Sequence, residues 1–261
     1  MPTTREPATC SGRPGKIGNW VETLPVVIPV YDENHRTRDV RPWVMWIIFT
    51  LNVLAYIYLL LLPAESAQIL PFHFGVVPAF ITEAISVADL NLIIPPVATL
   101  VTYTFLHGNW LHLAGNMIFL WVFGDNIEAA MGHIRFLAFY LLCGLAGGLA
   151  HLASEPGSVI PLIGASGAVS GIVAAYLMLH PWAHVTVLLF GLMTARVHAY
   201  WLLGAWIAWQ ILNVLLLSRN EVSYWSHLGG LLAGAALVVV LRRRGVPLFR
   251  RHAARRTRLT G

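Results

Sequence analysis

The sequence predicts an all-α, polytopic membrane protein, a six-transmembrane-helix bundle spanning residues 43–241. Three observations predict it. Only 11% of the 261 residues are Asp, Glu, Lys or Arg, and 57% are hydrophobic, whereas a soluble domain is about one quarter charged. Uncharged apolar runs recur along the chain, and the clearest of them reach the roughly 20 residues that a spanning helix needs. The basic residues gather at the chain ends, outside those runs. Together these argue against a secreted enzyme, a cytosolic enzyme or a disordered chain.

Residues 1–42 form a polar N-terminal segment containing Pro and Gly, and the first apolar run, Trp43–Leu62, follows it. That run is long enough to span, so it is expected to stay in place rather than act as a cleavable signal. The next runs are Leu111–Gly124, Phe136–Ala153, Ile160–Leu179, Ala199–Leu217 and Ser226–Leu241. The second and sixth are short and carry polar residues near one end. A further stretch, Val185–Met193, is too short to span and is expected to be a buried or interfacial extension of the loop leaving the fourth helix. The segment from Pro63 to about Trp110 has no Lys or Arg and many apolar residues, so it is expected to pack into the interface or against the bundle. Residues 242–261 form a basic tail.

Six spans place both termini on one side of the membrane. Arg5, Arg13, Lys16, Arg36, Arg38 and Arg41 precede the first run, and Arg242, Arg243, Arg244, Arg250, Arg251, Arg255, Arg256 and Arg258 follow the last. Arg135 and Arg196 fall in loops of the same face, and only Arg219 falls on the other. The positive-inside rule makes that face cytoplasmic. A net charge of +5 distributed in this way suits topology and anionic lipid headgroups, not a nucleic-acid surface. Cys10 and Cys143 lie in such different settings that no disulfide is expected.

Polar side chains inside apolar spans are costly and are therefore functional candidates. They fall in three clusters: His107-Gly-Asn-Trp-Leu-His112-Leu-Ala-Gly-Asn116 at the start of the second helix, Gly164-Ala-Ser166-Gly167 through Ser170-Gly171 at the start of the fourth, and Ser226-His227 through Gly230 and Gly234 at the start of the sixth. Under the charge-based topology all three lie at similar depth near the non-cytoplasmic face. Ser166, between glycines where the chain turns into a helix, can present its hydroxyl beside backbone N–H groups. His227 is the natural general base for that hydroxyl. His112 and Asn116, spaced i and i+4, share a helix face and can donate hydrogen bonds to an oxyanion together with the Ser166 N–H.

Simpler uses compete for each residue. Gly167-xxx-Gly171 and Gly230-xxx-Gly234 also read as helix-packing seams, and Asn116 alone could bridge helices. His73, His133, His151 and His184 read as structural or interfacial. His107 and His112 are five apart with no neighbouring carboxylate, unlike the helical HExxH pattern of zinc proteases. An aspartyl intramembrane protease needs two intramembrane aspartates; only Asp125 approaches that role, and its place in an expected short loop, Gly124–Glu128, argues for capping or loop pairing instead. No acidic relay for a proton-coupled transporter runs through the spans. The residues call for no metal and no cofactor.

From about Ile28 to Leu241 the sequence closely resembles the rhomboid family of intramembrane serine proteases. The resemblance is carried by Gly164-x-Ser166-Gly167, by His107, His112 and Asn116, by His227-x-x-Gly230-x-x-x-Gly234, by Gly124-x-x-x-Glu128, and by Ile28-Pro-Val-Tyr-Asp32 ahead of the first helix. It implies a serine endopeptidase with Ser166 as nucleophile, His227 as base, His112 and Asn116 holding the oxyanion, and His107 supporting them. It also implies that Gly230 and Gly234 let the sixth helix approach the fourth, and that Glu128 braces the first loop and its neighbouring helix. The implied partners are the lipid bilayer and single-pass transmembrane substrates cut near the outer end of their helices, and the implied location is a bacterial plasma membrane. A rhomboid-like protein that binds membrane clients without cutting them is the second reading. The chain departs from the family pattern twice. Ala98-Thr99 stand where a Trp-Arg pair is common, and Ser170 stands where an aromatic commonly packs on the catalytic imidazole. The histidine is therefore expected to be held by some other group.

Overall fold

The computed structural model describes residues 27–33, 40–88, 90–216 and 222–250. Most of the basic N-terminal segment, Cys10, Arg219 and the tail beyond Arg250 lie outside the described residues. The six apolar runs each form a helix: α1 (Trp43–Leu61), α5 (Trp110–Met131), α6 (His133–Ser154), α7 (Ser166–Leu179), α8 (Ala199–Leu215) and α9 (Tyr224–Leu241). Between α1 and α5 lie three short helices, α2 (Ala64–Phe74), α3 (Pro78–Ile81) and α4 (Thr99–Thr102). By length and composition α1, α6 and α9 can each cross a membrane, while α7 and α8 are apolar but shorter.

Two helices differ from their apolar runs, for local reasons. The second run continues past Gly124 into helix as far as Met131, because its polar residues have partners. Asn126 donates to Asp32 at 3.0 Å, and Glu128 accepts from the backbone N–H groups of Val44 (3.0 Å) and Met45 (2.7 Å). Those N–H groups belong to the first turn of α1 and have no acceptor within that helix, so the carboxylate caps it. The fourth run becomes helical only at Ser166. The residues before it are drawn into an antiparallel bridge between Leu162 and Val76, and Gly164 takes φ +128°, a backbone state that L side chains avoid.

The expectation of an all-α chain is corrected by a three-stranded antiparallel sheet of order β1-β2-β3, built from β1 (Val27–Asp32), β2 (His184–Leu189) and β3 (Met193–His198). The stretch Val185–Met193 is thus one strand and a tight turn, not an extension of a helix exit. Its alternation decides this: Val185 and Val187 are buried in the main core while Thr186 between them is only partly covered. The turn is formed by Phe190 and Gly191, both at positive φ. β1 docks on β2 with a register irregularity between Pro29 and Tyr31, as expected beside a residue that cannot donate to a ladder.

The main core lies among α1, α5, α6, α7 and α9, with Phe123, Phe136, Phe139, Tyr140, Ile172 and Tyr176 fully buried. Residues 242–250 close over the end of the bundle. Arg243 N–H donates to Ala130, and the N–H groups of Phe249 and Arg250 donate to the carbonyls of Met178 (2.6 Å) and Leu179 (3.3 Å), which terminate α7. The first loop packs against the bundle as expected. Thr102 donates to the Phe74 carbonyl at 2.6 Å, and fully buried Tyr103 donates to Gly144 at 2.7 Å.

Candidate active site

Three helix N-termini build the site. α5 begins after Asn109, whose side-chain oxygen accepts the His112 N–H at 2.8 Å. This cap fixes His112 in the first turn. One turn on, Asn116 donates to the His112 carbonyl at 3.1 Å and lies 3.0 Å from His107 Nε2. The imidazoles of His107 and His112 stand 5.0 Å apart, edge to face, and His107 is only 1% exposed. His107, His112 and Asn116 therefore form one hydrogen-bonded group.

α7 begins at Ser166 itself, so the hydroxyl sits on the first helical residue among N–H groups that have no acceptor within the helix. Gly164, two residues earlier, is held by its N–H to the Tyr103 carbonyl at 2.9 Å. A Cβ there would come within 2.6 Å of the His112 ring, so this glycine brings the Ser166 turn and the His112 ring together. A Cβ at Gly167 would meet the hydroxyls of Ser226 and Tyr103 at 2.9 Å.

α9 begins after Ser223, whose hydroxyl accepts from Ser226 N–H at 3.3 Å and lies 2.9 Å from His151 Nδ1 on α6. His227, on the first turn, is 8% exposed. A Cβ at Gly230 would overlap the Gly167 carbonyl, and one at Gly234 would overlap the backbone of Gly171. The two glycine pairs thus let α9 lie backbone to backbone on α7, in the manner of small-xxx-small seams. That contact sets His227 one turn before the point where α9 touches the residue after Ser166.

Glu128 does not join this group. It is buried sixteen positions along α5 from His112, a rise of about 24 Å, where it holds α1 and pairs with His133 Nδ1. It braces a helix, but not the first loop. Around Ala98-Thr99, the Thr102 and Tyr103 bonds anchor the loop instead. Ser170 is fully buried and donates to the Ser166 carbonyl at 2.6 Å, within its own helix.

One contact at His227 comes from outside the three clusters. Gln210 on α8 places its side-chain oxygen 2.8 Å from His227 Nδ1, and both residues are buried. Trp206 and Tyr224 flank the imidazole, with ring centroids 5.9 Å and 6.3 Å away. The signal for Gln210 in the sequence is slight: a lone amide in an otherwise apolar run, with no motif around it.

The Rhomboid domain family profile matches residues 96–244. The chain is 32% identical over 146 residues to the Rhomboid-like protein 11, chloroplastic, of Arabidopsis thaliana, covering 54% of this chain and 51% of that protein. It is 31% identical over 140 residues to the Rhomboid protein 1, mitochondrial, of Saccharomyces cerevisiae (50% and 38% covered). It is 40% identical over 78 residues to the Rhomboid protease GluP of Bacillus subtilis (30% and 15% covered). The chain spans about half or less of the length of these relatives. Several relatives are named for organelles, which leaves the expected bacterial plasma membrane unsupported and an integral membrane protein as the reading. With a matching profile over more than half of its length and the family's motifs assembled at three helix starts, the chain belongs to the rhomboid family.

Proposed function

We propose that the chain is an active intramembrane serine endopeptidase that cleaves transmembrane helices near the non-cytoplasmic face. The observation that carries this reading is the glycine seam between α7 and α9, which brings the start of α9, with His227, close to the turn bearing Ser166, while Gly164 lets the His112 ring close on the same turn. In this reading α5, α7 and α8 also cross the membrane, giving six spans. α7, at 14 residues, rises only about 21 Å against a hydrocarbon thickness of about 30 Å. With its C-terminal end tied to Phe249 and Arg250 at the basic end, a helix this short stops short of the opposite interface, which in this reading keeps Ser166 within the membrane.

The steps follow from the chemistry of the groups. Ser166 Oγ attacks the scissile carbonyl and passes its proton to His227 Nε2. The tetrahedral oxyanion takes hydrogen bonds from the His112 side chain and the Ser166 N–H, and from the Asn116 amide once one of its hydrogens leaves the His112 carbonyl or His107. The imidazolium then gives its proton to the leaving amine, and water, activated by the same imidazole, releases the acyl group from the serine. His107 keeps Asn116 and His112 in register.

The test is direct. Purified protein should react with a fluorophosphonate probe and cut a single-pass helical substrate in proteoliposomes, and Ser166→Ala should abolish both. Folded wild type that does neither, or Ser166→Ala protein that still cuts, defeats the proposal. Stable capture of a membrane client with no product, unchanged by Ser166→Ala, would establish a non-proteolytic client-binding protein in its place.

A further inference from the structure

A histidine serving as general base needs its Nε2 lone pair free and its ring plane fixed. In a triad an acid on Nδ1 does both. Here α7, α8 and α9 contain no Asp or Glu. Ser170, one turn after Ser166, has its hydroxyl engaged by its own helix.

Gln210 is 4% exposed in the body of α8, and an amide so placed is costly unless it is hydrogen-bonded. Its oxygen faces His227 Nδ1 at 2.8 Å. An amide oxygen can only accept, so the hydrogen sits on Nδ1 and the lone pair is left at Nε2. Trp206, one turn earlier on the same helix, lies at 33° to the ring, and Tyr224 meets it edge-on at 88°. The hydrogen bond fixes the tautomer, and the two aromatics fix the plane. The geometry points to Gln210 as the positioning residue of the catalytic base, a neutral amide doing what the acid of a triad does. This rests on the proteolytic reading above. The titratable groups near His227 are His112 of α5 and Tyr224 of its own helix.

Cleavage of a helical substrate in proteoliposomes, followed as kcat and KM from pH 5 to 9, tests it with wild type, Ser166→Ala, Gln210→Met and Gln210→Glu. Thermal unfolding of each protein accompanies the kinetics. Gln210→Met keeps the shape and loses the acceptor, and it should lower kcat about 10- to 100-fold with KM within twofold. Gln210→Glu should recover most of that loss and move the acid limb of the profile upward by about one pH unit, because a carboxylate on Nδ1 favours the imidazolium. A folded Gln210→Met protein with kcat within twofold of wild type overturns the inference. So does a Gln210→Glu profile whose acid limb stays in place, which decides the matter even if the Met variant fails to fold. Wild type that neither cuts nor takes up fluorophosphonate while folded overturns the proteolytic reading instead.

Discussion

At the scale of single residues, the site depends on atoms that are missing. Gly230 faces the Gly167 carbonyl with no room for a methyl group, whereas Gly204 on α8 has nothing within 4 Å of where its Cβ would stand. Gly230→Ala should therefore push α9 away from α7. It should destabilise the fold by about 1–3 kcal/mol, the usual cost of overpacking, and reduce cleavage far more than that stability loss explains, because His227 moves with α9. Gly204→Ala should leave activity intact and gain about 0.5–1 kcal/mol from lower chain entropy. Equal behaviour of the two variants in cleavage and thermal unfolding would refute the seam as the device that seats the base. As candidates, Ser166, His227, His112 and Asn116 were legible in the sequence because polar groups in apolar runs are costly and stand out there. Gln210 was not, because one amide in a helix announces no chemistry until its partner on another helix is seen.

At the scale of elements, what the sequence could not reveal was pairing between distant segments. The alternation in Val185-Thr186-Val187 becomes a strand only because β1, more than 150 positions earlier, lies against it. The helicity of Asp125–Glu128 likewise depends on acceptors and donors that β1 and α1 bring. Asp32 shows how tightly that sheet is bound to α7, the helix that begins at Ser166. It accepts from Tyr176 of α7 at 2.6 Å and from Asn126 of α5 at 3.0 Å. Burial, with a smaller contribution from nearby Asp125, raises its carboxyl from 3.8 to about 6 despite those bonds. A raised acid binds more protons in the folded state, so this group's contribution is most favourable below pH 3.8 and is lost as pH rises toward 6. The loss amounts to about 2–3 kcal/mol at neutral pH. Asp32→Asn removes the ionisation and keeps an oxygen for Tyr176. Relative to wild type it should gain stability between pH 4 and 6 and hold that gain at pH 7. A difference in Tm between the two proteins that does not change with pH would show that Asp32 is not buried as the sheet packing requires.

At the scale of the whole molecule, the basic residues and the candidate site lie at opposite ends of the bundle. The start of α1, the ends of α5 and α7, and the start of α6 meet the basic tail at one end, through Glu128, the Arg243–Ala130 bond, and the bonds from Phe249 and Arg250 to Met178 and Leu179. Arg135 reaches the last carbonyl of α9 at the same end, at 3.5 Å, and Arg196 lies on β3. His112, Ser166 and His227 all stand at the starts of α5, α7 and α9, which is the opposite end. On the proposed reading, the charge asymmetry legible in the sequence and the helix directions of the fold combine: the basic end faces the side of synthesis, and the proposed reacting groups open toward the other. Single cysteines test this in a Cys10→Ser background, where Cys143 is buried and inert. Exposed Gly157, in the loop that leads toward Ser166, and exposed Arg244, on the tail, mark the two ends. In intact cells of an expression host, a membrane-impermeant maleimide should label Gly157→Cys at once and Arg244→Cys only after lysis. The reverse pattern would place the serine on the cytoplasmic side, and the proposed cleavage of substrates at their outer ends would fall with it.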